Sequence, residues 1–315
     1  MSTPRFALPK LIATSVRRDY RPGQEESQGG IFTVDFARQE VRQLVDWSSP
    51  EVDFRGRGIA FHGDEIYVAA ADELFVYGRD FRIRRSYQSA YLADCQAACR
   101  LDRHLYLVSG GNDCILAFDL DSQGFTWALH LAVDGEDVTG RAFDPLGIDG
   151  PGGASGPPAG SDLQLNSLWA DRRGLFISGA RSQGMWYMGG DAQVRKAVDM
   201  PAGIHDARPW REGVLFNDTD AGVVRYSARD GEERAFAVPR YEPGELEPPE
   251  QPENPQARQG WAQGLCGIDE YRFVGGSSPA TLSLYDLESG SRVASVNFST
   301  DCRYAIHALE TWPWE

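Results

Sequence analysis

The 315-residue sequence predicts an all-β protein, a six-bladed β-propeller with four antiparallel strands per blade. Three observations lead there. A short strand pattern recurs at one fixed offset along the chain. Turn-forming residues punctuate the strands at regular intervals. No segment sustains the helical spacing of apolar residues.

The recurrence begins at Arg57-Gly-Ile-Ala-Phe61, which reaches the strand run Ile66–Ala69 nine residues on. Gln96–Arg100 reaches Leu105–Val108 at the same offset, Asn166–Ala170 reaches Leu175–Ser178, and His205–Pro209 reaches Val214–Asn217. Gln263–Gly267 reaches Tyr271–Val274 through a turn one residue shorter. Each unit then passes through Gly, Asp, Asn or Ser into a third strand: Leu74–Tyr77, Ile115–Asp119, Met185–Met188, Val223–Tyr226 and Leu282–Asp286. Asp121–Gly124, Asp230-Gly231 and Glu288–Gly290 then start the hairpin into a fourth. Four short strands in about 40 residues make one blade.

The two ends complete the count. Leu11–Thr14, Gly30–Asp35 and Val41–Val45 read as second, third and fourth strands without a first, and Tyr304–Leu309 reads as a first strand without successors. Both termini therefore build the sixth blade, a clasp that leaves no open edge between the first blade and the last. We expect one domain over residues 1–315. Its blades fall near 54–91, 94–132, 164–201, 203–240, 261–299, and 302–313 joined with 8–47.

Composition narrows the partners. With 46 acidic against 31 basic residues the net charge is -15, which repels phosphate backbones and anionic lipids, so nucleic acid and membrane surfaces are excluded while a protein partner stays open. No apolar run approaches a membrane span, and the N-terminal stretch lacks an apolar segment followed by a small-residue cleavage site; a cytoplasmic protein is expected. Cys95, Cys99, Cys114, Cys266 and Cys302 are an odd number at scattered spacings, neither a disulfide framework nor a zinc pattern. Cys95 and Cys99, four apart in one strand, would stand roughly 13 Å apart. All five read as small core residues.

The first strand of each blade lines the propeller axis, so equivalent positions form a ring. In register these are Arg57, Gln96, Asn166, His205, Gln263 and His307, all polar where β-branched residues would suit a strand better. That ring predicts a wet tunnel open to a ligand. The spacing points to the same mouth: Arg57 to Gln96 and Asn166 to His205 each span 39 residues, but Gln96 to Asn166 spans 70 and His205 to Gln263 spans 58. The excess forms two loop insertions, 133–162 and 241–256. Both, with a third long loop at 17–29, emerge on the face where the first strands begin. Loops over a rigid scaffold are where binding groups concentrate.

Imidazole titrates near neutrality, so His205 and His307 are the candidate acid/base pair or metal ligands. His62 and His104 fall at turns on the opposite face. Arg57, with Arg208 three residues beyond His205, suits a carboxylate or a developing oxyanion. Gln96, Asn166 and Gln263 would orient a substrate through neutral hydrogen bonds. Strand alternation lets only one of His205 and Asp206 face the axis. Two histidines with amide oxygens are compatible with a divalent metal, as are the turn residues Asn112-Asp113, Asn217-Asp218 and Asp220 with calcium. No nucleotide or flavin cofactor is expected, since no Gly-rich phosphate loop and no nucleophile elbow occurs.

Leu165-Asn166-Ser-Leu-Trp169 and Met200-Pro-Ala-Gly-Ile-His205-Asp-Ala-Arg208, set in this six-unit layout, resemble the propellers of the gluconolactonase, senescence marker protein and strictosidine synthase type, closest to poorly characterised bacterial members. The resemblance implies a tunnel site, and in lactonases a divalent metal held by Glu, Asn and Asp. Only Asn166 has a counterpart here, and Arg57 stands where a carboxylate would help. Two readings follow: a small-molecule enzyme performing hydrolysis, elimination or isomerisation on a polar or carboxylate-bearing metabolite, or a non-catalytic propeller that binds a ligand or a protein.

Overall fold

The computed structural model describes residues 8–20, 26–48, 54–147, 150–154, 156–251, 254–255 and 257–314. Its strands in the first half are β1 (Leu11–Arg17), β2 (Gly29–Asp35), β3 (Glu40–Asp46), β4 (Gly58–His62), β5 (Glu65–Ala69), β6 (Glu73–Gly78), β7 (Ile83–Gln88), β8 (Cys95–Leu101), β9 (His104–Ser109), β10 (Cys114–Asp119), β11 (Gly124–Asp134) and β12 (Asp137–Phe143). The second half adds β13 (Leu165–Asp171), β14 (Gly174–Gly179), β15 (Gly184–Met188), β16 (Val194–Asp199), β17 (Ile204–Trp210), β18 (Gly213–Asp218), β19 (Val223–Ala228) and β20 (Glu233–Ala237). β21 (Ala262–Gly267), β22 (Arg272–Ser277), β23 (Thr281–Asp286), β24 (Ser291–Asn297) and β25 (Tyr304–Thr311) complete the chain.

They form six antiparallel sheets: β4 to β7, β8 to β12, β13 to β16, β17 to β20, β21 to β24, and the clasp β25-β1-β2-β3. The innermost strands β4, β8, β13, β17, β21 and β25 touch in cyclic order, and β25 returns onto β4. The fold is a six-bladed β-propeller. In the clasp, β25 pairs with β1 from Leu11 opposite Thr311 to Arg17 opposite Tyr304. Among the described residues no helix is long and apolar enough to cross a membrane.

Burial explains why these segments are strands. The middle strands are near-continuous apolar runs covered on both faces: β10 is buried throughout, and β6 from its second residue on. The outer strands carry the charge, as in Ile83-Arg-Arg-Ser-Tyr-Gln88, where only Tyr87 is partly covered. Charged outer strands blunt pairing with other chains. Six separate apolar layers fill the six seams between blades. Between the clasp and the β4 blade the layer holds Ile12, Ile31, Trp47, Ile66 and Val68. The core is thus a ring of sandwiches around the axis, which fixes the inner strands rigidly.

The insertion expected at 133–162 is only partly a loop. β11 continues to Asp134 and turns into β12, which pairs with it from Asp134 opposite Asp137 to Ala128 opposite Phe143, giving that blade a fifth, outermost strand. The sequence Asp137–Phe143 lacks apolar alternation because nearly the whole strand stays in water, only Val138 being buried and Phe143 partly covered. The rest of the insertion crosses to β13, with 148–149 and 155 outside the described residues. Of the third loop, 21–25 lies outside them, as do 252–253 and 256 of the second. The second loop is held at its ends: the Tyr241 amide donates to Gln259 Oε1 at 2.8 Å, and Glu250 accepts from the Gln259 amide at 2.9 Å. All five cysteines are free thiols, and all but the half-buried Cys99 are buried.

Candidate functional site: the tunnel and its mouth

The ring position of most inner strands is a β-bulge. Register shifts fall between Cys95 and Ala97, Leu165 and Ser167, His205 and Arg208, Gln263 and Leu265, and opposite Thr14 on β25. A bulge inserts one unpaired residue and re-aims the side chains beside it. Its effect is largest on β17, where Asp206 adopts φ 51 and lines the tunnel cavity, while His205 faces the arginines of the mouth. The alternation rule that gave only one of them to the axis fails here because the bulge breaks the two-residue period. On β21 the bulged residue is Gly264, with φ 74; a Cβ there would meet the His307 carbonyl oxygen at 2.9 Å, so glycine lets β21 approach β25.

Arg57, His205 and His307 share one electrostatic neighbourhood. Burial pushes the His205 imidazole down to about 4, and the positive charges of Arg57 and Arg18 push the same way. His307 lies well below the usual histidine range for the same first reason, burial, with Arg57 and His205 adding to it. Both rings are neutral at pH 7. His205 still opens partly to the tunnel and lies 6.2 Å, ring to ring, from Trp261.

Gln96 joins this group through a residue the sequence reading passed over. Asp94 pairs with Arg57 Nη1 through Oδ1 and accepts from Gln96 Nε2 through Oδ2 at 2.6 Å. Asp94 has φ 46, a left-handed turn residue two positions before the ring residue; Gln164 (φ 50) and Gly203 (φ 77) stand in the same relation to Asn166 and His205. Aspartate is among the few residues that tolerate this conformation, so turn geometry aims the carboxylate at Arg57. Asn166 is buried and donates to the Ile204 carbonyl at 2.8 Å, which leaves its Oδ1 without a partner and turns it to the seam. Gln263 is buried beside the Gly264 bulge.

Arg18 was also missed. It comes from the third loop, and its Cζ stacks 4.1 Å from the centre of the Trp261 ring, with Arg258 5.4 Å from the same ring. Arg18 donates to the carbonyls of Arg258 (3.3 Å) and Pro255 and to Ser278 Oγ (3.3 Å). Among the described residues no carboxylate lies within ion-pair distance of Arg18 or Arg258. Burial, then Arg258, bring the Arg18 guanidinium down to about 9. The usable signal was the Arg17-Arg18 pair opening a loop already expected at the mouth.

Arg208 does not join His205. It lies deeper, donating to the Leu265 carbonyl and stacking 5.2 Å from the Trp169 ring, with its Nε buried and unpartnered. Around it a tunnel cavity of about 40 Å³ is lined by Arg57, Cys99, Trp169, Asp206 and Glu310, room enough for ordered water. Burial pushes the Asp206 carboxyl up to about 6, opposed by Arg208 and the amides of Gly264 and Leu265. Burial pushes Glu310 up to about 7, with Arg208 opposing and Asp206 reinforcing. The tunnel thus stacks two layers: arginines over neutral imidazoles at the mouth, an arginine between two reluctant carboxyls below.

A metal fits poorly. No group of three or more His, Cys, Asp or Glu among the described residues could hold one, and Arg57 presses positive charge on both imidazoles and Arg18 on His205. The turn residues proposed for calcium have other work: Asp113 accepts from the Leu163 and Leu165 amides at 2.7 and 3.1 Å, and Asp218 pairs with Arg225 at 2.6 Å.

The molecule is therefore a six-bladed propeller with a cationic, imidazole-lined tunnel mouth. No family model matches the chain, and no curated protein matches it. Among solved structures, a chain of the nidogen/laminin complex aligns with TM-score 0.57 at 8% identity, over 95% of this chain and 97% of that one. A protein of unknown function from Bacteroides caccae aligns with TM-score 0.55 at 12% identity, over 96% and 98%. U3-55K aligns at 0.49 and 12% identity over 77% of this chain, which spans 64% of that chain's length. At such identities the likeness is one of fold alone.

Proposed function

We propose that the protein is a small-molecule enzyme that binds a carboxylate-bearing metabolite at the tunnel mouth and moves a proton with His205 and His307. The carrying observation is that guanidinium groups, of which Arg18 has no ion-pair partner among the described residues, meet neutral imidazoles in one place within a chain of net charge -15. Arg18 and Arg57 would hold the anion; Gln96 and Gln263 would orient it. A neutral imidazole is free to accept a proton, and an anion set against Arg57 and Arg18 would offset the charge that weakens it as a base. Proton abstraction beside the carboxylate, leading to elimination or isomerisation, uses all of these groups; hydrolysis would use the same pair.

A gluconolactonase-like reading would instead draw Asn166 into a metal set. Its Oδ1, the atom that would ligate, has no partner, but among the described residues no three His, Cys, Asp or Glu gather to complete a metal set and Arg57 and Arg18 act on His205, so the carboxylate reading has more support. The depressed histidines favour the second reading, a binding propeller, to the extent that a base near pH 4 is weak. The five free thiols suit the reducing cytoplasm.

The test has two arms. Binding of a panel of small carboxylates, read by calorimetry, is expected to fall at least about tenfold in Arg57→Gln and in Arg18→Ala, the size of one charge-assisted hydrogen bond. Metabolite mixtures incubated with the protein and followed by mass spectrometry should show a consumed carboxylate, with turnover dropping about 100-fold or more in His205→Ala and His307→Ala while binding holds. Binding without consumption selects the binding propeller, and undiminished binding in both arginine variants removes the carboxylate reading.

A further inference from the structure

We propose that the ligand is a small dicarboxylate, one carboxylate of which displaces Asp94 from Arg57 and Gln96 while the other lies against Arg18. This rests on the reading that the mouth takes a carboxylate. The protein already displays that group in its seat: one Asp94 oxygen meets Arg57 Nη1, the other meets Gln96 Nε2 at 2.6 Å. Two donors on two oxygens of one planar group is how a carboxylate is recognised.

The occupant is replaceable. The Asp94 side chain is 51% exposed while Arg57 is only 14% exposed, so Asp94 can turn to water and leave the more buried guanidinium to an incoming carboxylate. Arg57 Nε remains buried without a partner, a further donor for which Asp94 has no counterpart. Asp94 is positioned by its turn, its carbonyl accepting from the Gly110 amide at 3.2 Å, so leaving the seat costs no backbone contact.

The second charge follows from Arg18. Arg18 stacks 4.1 Å from the Trp261 ring, which lies 6.2 Å from His205, and Arg57 bears on both imidazoles, so the two guanidiniums share the neighbourhood of His205. Asp94 offsets the first; the second is stacked on Trp261 and bonded to carbonyls and a hydroxyl, and among the described residues no carboxylate pairs with it, Asp19 acting on it only beyond ion-pair distance. A monoanion would leave one guanidinium uncompensated at the mouth. A dianion matches both, with the reacting carbon held between the imidazoles.

Calorimetry on the full chain at pH 7 and low salt, with acetate and succinate as probes, tests this. Succinate is expected to bind at least about tenfold more tightly than acetate. Asp94→Asn, which keeps the turn because asparagine also adopts positive φ, should tighten succinate about tenfold further, and Asp94→Ala should move it the same way. Arg18→Ala should erase the preference for succinate. Succinate no tighter than acetate, or weakened by both Asp94 variants, would overturn the proposal while acetate binding keeps the carboxylate mouth. Failure of both probes to bind the unaltered protein and Asp94→Asn overturns the mouth reading with it.

Discussion

A chain that stops at Arg303 is expected to lose cooperative thermal unfolding altogether. β25 closes the propeller, pairing with β1 across its whole length, and Ile306 and Leu309 pack into the seam on one side and Ala308 into the seam on the other. Without it β1, buried throughout in the closed ring, becomes an open edge exposing Leu11, Ile12, Ala13 and Val16, and the aromatic contacts that Trp312 and Trp314 make with Phe61 and Phe81 are lost. Burying one large aliphatic side chain contributes roughly 1.5–3 kcal/mol. Losing several, with a whole ladder of backbone bonds, removes a quantity on the order of the 5–15 kcal/mol that holds a domain folded. Circular dichroism melts decide it: a sharp transition retained by the shortened chain would refute the clasp. Ile306→Ala, which keeps the ladder, is expected to cost only about 2–4 kcal/mol and to stay cooperative.

The second large effect is on the pH dependence of stability, and its sign follows from the tunnel. Glu310 titrates near 4.5 when unfolded but near 7 when folded, so the folded state favours the protonated form. Its stabilising effect is complete below about pH 4.5 and is lost as pH rises through 7. Glu310→Gln should therefore leave stability at pH 4 unchanged and raise it at pH 8 by up to about 3 kcal/mol. Asp206, raised to about 6, acts in the same direction at slightly lower pH. His205 does the opposite: the unfolded imidazole takes its proton near 6.5 and the folded one only near 4, so stability falls as pH drops between those values. His205→Asn should flatten that acid limb. Urea unfolding from pH 4 to 8 should give a maximum in the mildly acidic range, and a Glu310→Gln curve parallel to that of the unaltered protein would contradict the account.

Both effects bear on how the site could be read in advance. Ring residues were legible because each heads a strand whose partner follows at a constant offset, as Arg57 is followed by Ile66 and His205 by Val214. Arg18 and Asp94 were not: one stands in a loop, and the other in a turn position that recurs as Gln164 and Gly203, where the backbone conformation repeats but the residue type does not. Glu310 lies three residues past His307 on a terminal strand with no successor to set its register. Asp206 was read and set aside, because strand alternation forbids what the bulge at φ 51 permits. Arg208 was assigned to the mouth by its closeness to His205 in sequence, yet the same bulge and the slope of the strand carry it to the lower layer.

The amino-acid sequence by itself determined the architecture: period-two burial and turn chemistry act between near neighbours, so five units and a split sixth could be counted along the chain. It also placed a polar residue at the equivalent position of every inner strand. Which of those groups meet, and in which protonation state, was decided by the tertiary structure alone. Closing the ring brings the charges of Arg18 and Arg57 to bear on His205 across almost 190 residues of chain and withdraws that imidazole from bulk water. Charge and burial at the axis depend on what arrives from every other blade, and no local pattern carries that information.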